Sequence, residues 1–292
     1  MDGDGGARIH SMIEDGPLGR WRVDLCRPRA DLAPCVAQLW YGEGSVSYQR
    51  DRILPGAGSF LLINLGPPQY RIEGHADGSE RRLRFDDIWY SGLQLAPIDT
   101  EAPHGSALLG VAFHAHGARP WLHIDADESV DRVGPLADWL GDAVLALRER
   151  LLETRSIERR FALVEDWLAR RMAPQFAASA LVADGLQRIA SSGGELPVEA
   201  LAKDAGVSRK HLGERFRREV GLTPKALSRI HRFRRAMALL GDRDRVPWSE
   251  LAALCGYYDQ SHLIRDFRAF SGFAPGELLR RPQPDSGSLV VS

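Results

Sequence analysis

The spacing of apolar positions changes twice along this chain. From Leu18 to about Asp125 apolar residues come in short runs, such as Phe60–Leu65, Tyr70–Glu73, Ile88–Tyr90 and Leu108–His114. Turn residues separate them: Pro55-Gly56, Gly66-Pro67-Pro68, Asp77-Gly78, Gly105 and Gly117. Short strands between tight turns predict a β-barrel or sandwich rather than βαβ units. From Val133 to Met172 the period lengthens. Leu136, Leu140, Val144, Leu147 and Leu151 recur at three- and four-residue steps, and Phe161, Val164, Trp167 and Leu168 follow a break near Arg155-Ser156. Two amphipathic helices are expected. Their apolar face packs either on the β-rich part or against a second copy of the chain in a homodimer.

The last third contains one pattern twice. Leu201, Ala202 and Gly206 recur as Leu251, Ala252 and Gly256. His211, Leu212, Phe216, Arg217, Gly221 and Pro224 recur as His262, Leu263, Phe267, Arg268, Gly272 and Pro275. Each copy reads as a short apolar helix, a Gly turn and a longer basic helix, the helix-turn-helix pattern. In the first, Pro197 opens the support helix, Gly206 supplies a left-handed turn and Ser208 caps the second helix. In the second, Trp248, Leu251, Ala252 and Cys255 support, Gly256 turns, and Asp259 or Ser261 caps. A continuous helix, Pro224 to Leu240, joins the copies. It turns Leu227, Ile230, Phe233, Met237 and Leu240 inward and Arg229, Arg232 and Arg235 outward.

These breaks divide the chain into residues 17–132, β-rich; 133–175, the helical pair; and 179–281, all helical. The termini, 1–16 and 282–292, are rich in Gly, Asp, Pro and Ser and are expected to be disordered. The fold class is α+β, with an N-terminal β-barrel ahead of two helix-turn-helix units. At 292 residues there is room for two cores, and 44% hydrophobic with 26% charged residues is ordinary for a globular protein. No apolar run is long enough for a membrane span, no signal peptide opens the chain, and the cysteines are few and odd in number, so a cytoplasmic protein is expected. The net charge of −1 hides an asymmetry. Ala180 to Arg281 holds 18 Lys+Arg against 12 Asp+Glu, while Met1 to Ser179 holds 20 against 26. Only the C-terminal part is suited to a polyanion.

That polyanion is expected to be double-stranded DNA. The basic face of the first second helix carries Arg209, Lys210, Glu214, Arg217 and Arg218. In the second copy Gln260, Ser261, Ile264 and Arg265 lie early and outward. Gln pairs bidentately with adenine and Arg with guanine, so Gln260 and Arg265 are the candidate base readers. His262 and Arg268 suit phosphates or helix packing.

Residues from about Ser179 to Leu279 resemble the DNA-binding domain of the AraC/XylS family of bacterial transcription regulators. The stretch LAALCGYYDQSHLIRDFRAFSGFAP, Leu251–Pro275, carries the likeness most closely. The resemblance implies seven helices, two helix-turn-helix units and asymmetric promoter sites. Glu214 departs from it, standing where many members carry Arg. An acid there repels phosphate, although Glu can accept from cytosine N4. LPGAGSFLLINLGPPQYRI and LLGVAFHAHGARPWL resemble a cupin-like sensor domain, which implies an N-terminal barrel. That part is acidic, aromatic-rich and without a credible catalytic set, so it is expected to bind a small organic effector of unknown identity. RNA polymerase is a further candidate partner.

Two enzyme readings compete. His114-Ala115-His116, with His104 or His123, resembles the metal pair of enzymatic cupins. The Glu expected soon after is absent, Gly117-Ala118-Arg119-Pro120 following instead, so no metal and no cofactor is assigned. A DNA-repair alkyl acceptor needs a reactive Cys beside basic residues. Cys26 and Cys35 form no CxxC motif, and Cys255 falls on a core stripe. The aromatic residues Trp21, Trp40, Tyr41, Tyr48, Tyr70, Trp89 and Tyr90 suit a core, with some free to line an apolar pocket.

Overall fold

Short runs between turns do form strands. The computed structural model describes residues 8–74, 77–240 and 247–292. Its strands are β1 (Ile9–Gly16), β2 (Gly19–Cys26), β3 (Val36–Val46), β4 (Asp51–Ile53), β5 (Gly58–Asn64), β6 (Gln69–Gly74), β7 (Glu80–Phe85), β8 (Ile88–Ser91), β9 (Ile98–Glu101), β10 (Ser106–His114), β11 (Val133–Pro135) and β12 (Ser288–Val290). They build a seven-stranded sheet, ordered β1-β2-β3-β10-β5-β8-β11, and a five-stranded one, ordered β12-β4-β9-β6-β7. Every pairing is antiparallel. The expected barrel is therefore corrected to two open sheets. The large sheet stops at β11, where Pro135 has no N–H to offer a further strand.

Alternation sets the core. Ser59, Leu61 and Ile63 of β5, with Leu109, Val111 and Phe113 of β10, turn inward and are buried. Tyr90 fills the interior, edge-on to Trp121 and Trp139 at 5.7 Å each. The helices that follow are α1 (Arg119–Leu122), α2 (Ala137–Leu140), α3 (Leu145–Glu153) and α4 (Ile157–Arg171). Val144, Leu147, Leu151, Phe161, Val164 and Leu168 bury themselves in the same core as β5 and β10. The stripe that could have served a dimer is thus covered by the chain's own large sheet; Leu140 is only partly buried.

The all-helical part contains α5 (Ala180–Ser191), α6 (Val198–Asp204), α7 (Arg209–Val220), α8 (Pro224–Leu240), α9 (Trp248–Leu254), α10 (Gln260–Ser271) and α11 (Pro275–Leu278). It has a second core, which also takes in Leu54 and Leu93 of the β-rich part and Leu289 of the tail.

Both termini differ from expectation. Residues 1–7 lie outside the described residues, but Ile9–Gly16 pairs along its whole length with β2. The tail expected to be disordered returns to the β-rich part, where Ser288–Val290 pairs with β4 and Leu289 is fully buried. Apolar Leu289, Val290 and Val291 give this otherwise polar tail enough to bury.

Candidate nucleic-acid interface

Each unit is assembled as its sequence predicts. Gly206 and Gly256 make the turns at φ 66° and 69°. Ser208 Oγ accepts from the His211 amide at 3.1 Å, and the Asp259 carboxylate accepts from the His262 amide at 2.7 Å, so Asp259 is the second cap. Pro197 is the N-cap of α6, one position before the first helical residue. Leu212, Phe216 and Val220 of α7 and Leu263, Phe267 and Phe270 of α10 are buried. The inward set of α8 is buried too, and Phe233 meets Phe267 edge-on at 5.1 Å.

The outer faces present the residues named from sequence. Arg209, Lys210, Glu214, Arg217 and Arg218 are exposed on α7, as are Gln260, Ser261, Arg265 and Arg268 on α10. Ile264 is half-buried against the core. His262 is also half-buried and packs edge-on to Tyr257 at 5.2 Å. Burial pushes its pKa down; the Asp266 carboxylate opposes this, and Arg232, Arg265 and Arg229 add to it.

The outward arginines of α8 are not free. Arg229 pairs with the buried Asp266 of α10 at 2.7 Å, Arg232 donates to the Gly194 carbonyl at 2.9 Å, and Arg235 pairs with Glu195. They tie α8 to its neighbours, because both units wrap far enough around it to cover flanks that periodicity counts as outside. Sequence reasoning also missed Tyr258, 93% exposed beside the second turn, and half-exposed Leu254. The Tyr257-Tyr258 dipeptide was the available signal, since only one of two adjacent residues there can face the core.

Asp125 was missed as well. It caps a 3-10 turn, Ala126–Ser129, in the β-rich part, and its carboxylate meets Arg218 of α7 at 3.3 Å. The buried Arg119 reaches the same oxygen at 3.2 Å and also donates to the Phe176 carbonyl. A β-carbon on Gly221, just past α7, would lie 2.6 Å from Val130. The two parts of the chain therefore meet closely at the end of α7.

The enzyme readings gain no support from geometry. The His114 and His116 rings are 6.1 Å apart, and burial followed by the His114 charge lowers the His116 pKa. Among the described residues no group of three or more His, Cys, Asp or Glu gathers as a metal site. Cys26 and Cys255 are buried and Cys35 partly so; burial raises all three thiols, the opposite of activation. Among the described residues no helix is long and apolar enough to cross a membrane.

Two family models match the chain. "Helix-turn-helix domain" covers residues 201–281, and "Domain of unknown function (DUF6597)" covers residues 25–135. Among solved structures, the C-terminal domain of AraT, a response regulator from Geobacillus stearothermophilus, is similar at 26% identity, covering 34% of this chain and 84% of that one, with a TM-score of 0.32. ToxT from Vibrio cholerae is similar at 11% identity, covering 82% of this chain and 97% of that one, with a TM-score of 0.43. Bacillus subtilis oxalate decarboxylase is similar at 13% identity over 39% of this chain and 31% of that one, with a TM-score of 0.25. No curated protein matches. With its repeated, capped and basic units and the helix-turn-helix domain matched over residues 201–281, the chain is a DNA-binding transcription regulator that carries an AraC-type helix-turn-helix domain.

Proposed function

We propose that α10 reads bases, with Gln260 accepting from and donating to adenine and Arg265 donating to guanine, and Ser261 beside them. The carrying observation is that these three side chains stand exposed at the start of a capped helix whose opposite face is buried. Arg268 contacts phosphate, while His262 serves packing against Tyr257. On α7, Arg209, Lys210, Arg217 and Arg218 contact phosphates and Glu214 accepts from a cytosine amine. Because α8 is continuous and pinned to its neighbours, the two readers enter adjacent major grooves about 10–10.5 base pairs apart. RNA polymerase and a second copy of this chain are the protein partners in this reading.

The β-rich part senses a small organic effector. Its interior is filled by aromatic and aliphatic side chains. A small cavity lies at its seam with α7, lined by Ser59, Tyr90, Arg119, Ser129, Glu219 and Val220 among others. At about 10 Å³ it has room for about one water. An effector there must open the seam, and it shifts DNA affinity only as far as it prefers the open arrangement. Typical couplings of about 1–3 kcal/mol correspond to roughly 5–150-fold.

Titration of the full chain against promoter DNA tests the reading. Neutralising about 6–10 phosphates lowers affinity roughly 10³–10⁵-fold between 50 and 200 mM salt. A flat salt response contradicts it.

A further inference from the structure

The two readers carry different electrostatics. On α7, Arg209 pairs with Glu199 at 2.7 Å, Lys210 with Glu214 at 3.9 Å, Arg215 with Glu219, and Arg218 with Asp125 at 3.3 Å. Among the described residues, only Arg217 of the α7 cations lacks a carboxylate partner. On α10 the single carboxylate, Asp266, is buried and taken by Arg229 of α8. Arg265 donates to its own Ser261 carbonyl at 3.3 Å, and among the described residues no carboxylate lies within pairing distance of Arg265 or Arg268. Four of five cations on the first reader are answered within the chain; both on the second are open to phosphate.

Of those four carboxylates, three belong to the helical domain and travel with α7. Asp125 does not. It stands in the β-rich part, held independently of Arg218 by Arg119 and by a capping box in which its amide donates to Glu128 at 3.2 Å. Asp127 and Glu128, on the same turn, are exposed. A phosphate approaching Arg218 must displace a fixed carboxylate and enter the field of two more. An exposed ion pair alone is weak, but a displaced carboxylate that cannot move away continues to repel the phosphate.

We infer that Asp125 is an autoinhibitory contact: docking of the β-rich part keeps Arg218 from the DNA backbone and so weakens the first reader's half of the site, and undocking strengthens it. This rests on the DNA-binding reading above and adds to it the regulated element. It makes half-site engagement, rather than DNA binding as a whole, the quantity that domain docking controls.

The test uses the full chain and a duplex that the wild type selects from a randomised pool, titrated from 50 to 200 mM salt and footprinted. Asp125→Asn keeps the capping ability while removing the charge. Arg119 retains the Phe176 carbonyl as partner. The variant is expected to bind up to about fivefold tighter, with a log–log salt slope steeper by about 0.9 for one added phosphate contact, and with stronger protection at the first reader's half-site. All three gains disappear in an Arg218→Ala background. If Asp125→Asn lowers the thermal midpoint, Asp125→Ser, also a good cap, replaces it. Unchanged slope and protection in a folded variant overturn the inference, as does a gain that persists with Arg218→Ala. A wild type that selects no duplex overturns the DNA-binding reading itself.

Discussion

Arg52 of β4 donates to the backbone carbonyl of Ser271, the last residue of α10, at 3.0 Å. Asp99 holds the same guanidinium from behind through two bonds, at 2.6 and 2.8 Å. A cation at a helix C-terminus meets unsatisfied carbonyls and the negative end of the dipole. The contact leaves no room for a side chain at Gly272, whose φ is 80° and whose β-carbon would collide with Arg52. With Gly221 pressed on Val130, both recognition helices end against the β-rich part.

Replacing Arg52 with Ala should therefore act on the seam between the two parts. It strands the half-buried Asp99 and removes a charged hydrogen bond, worth about 1.5–3 kcal/mol. The expected result is a lower thermal midpoint and faster proteolysis at the seam. An unchanged midpoint and cleavage pattern would show that the Arg52–Ser271 contact is incidental.

The returning tail offers a second test. Leu289 is buried in the helical core, and the Leu54 amide donates to the Gly287 carbonyl at 2.8 Å. Leu289→Ala should cost about 2–5 kcal/mol. Truncation after Arg281 should expose the Leu54 amide to hydrogen exchange. A tail that contributed nothing would leave both measurements where they were.

This tail marks where the sequence stops being legible. Gly206, Ser208 and Asp259 announce the two units because turn and cap chemistry is local, and the buried α7 and α10 residues follow from helical period. Nothing local tells that Leu289 finds β4, or that Asp125 finds Arg218, since those contacts join residues far apart in the chain. The same reason hid the fate of Arg229: period places it outside its own helix and says nothing of Asp266. The barrel expectation failed differently. Strand rhythm predicts strands, but whether a sheet closes depends on pairings at its edges, such as the one Pro135 declines to make.

The pH dependence of stability should carry the mark of Asp51. Burial first, with repulsion from Asp285 and Asp99 against the hydrogen bond from Thr100, raises its pKa from 3.8 to about 6. Between those values the folded chain keeps a proton that the unfolded chain has lost. Stability from this group therefore falls as pH rises from about 4 to 6 and stays low above, by about 3 kcal/mol at most for a partly buried side chain. Asp51→Asn should raise the midpoint at pH 7.5 and flatten the slope below pH 6. A variant whose pH profile matches the wild type would contradict the shift.

The roles assigned to two arginines differ in what they do to sequence preference. Arg265→Ala should cost about 1–3 kcal/mol and relax preference at one base position, whereas Arg217→Ala should weaken binding to all sequences about equally. Competition assays with single-base variants of the selected site separate the two. Equal relaxation by both, or by neither, would reassign Arg265.

The most direct measurement is selection of duplexes from a randomised pool by the full-length chain, followed by sequencing. The account predicts one enriched, asymmetric motif with two elements about 10–10.5 base pairs apart, the sharper of the two lost when Gln260 and Arg265 are replaced by Ala. Recovery of no motif, or of one that survives that replacement unchanged, would contradict it.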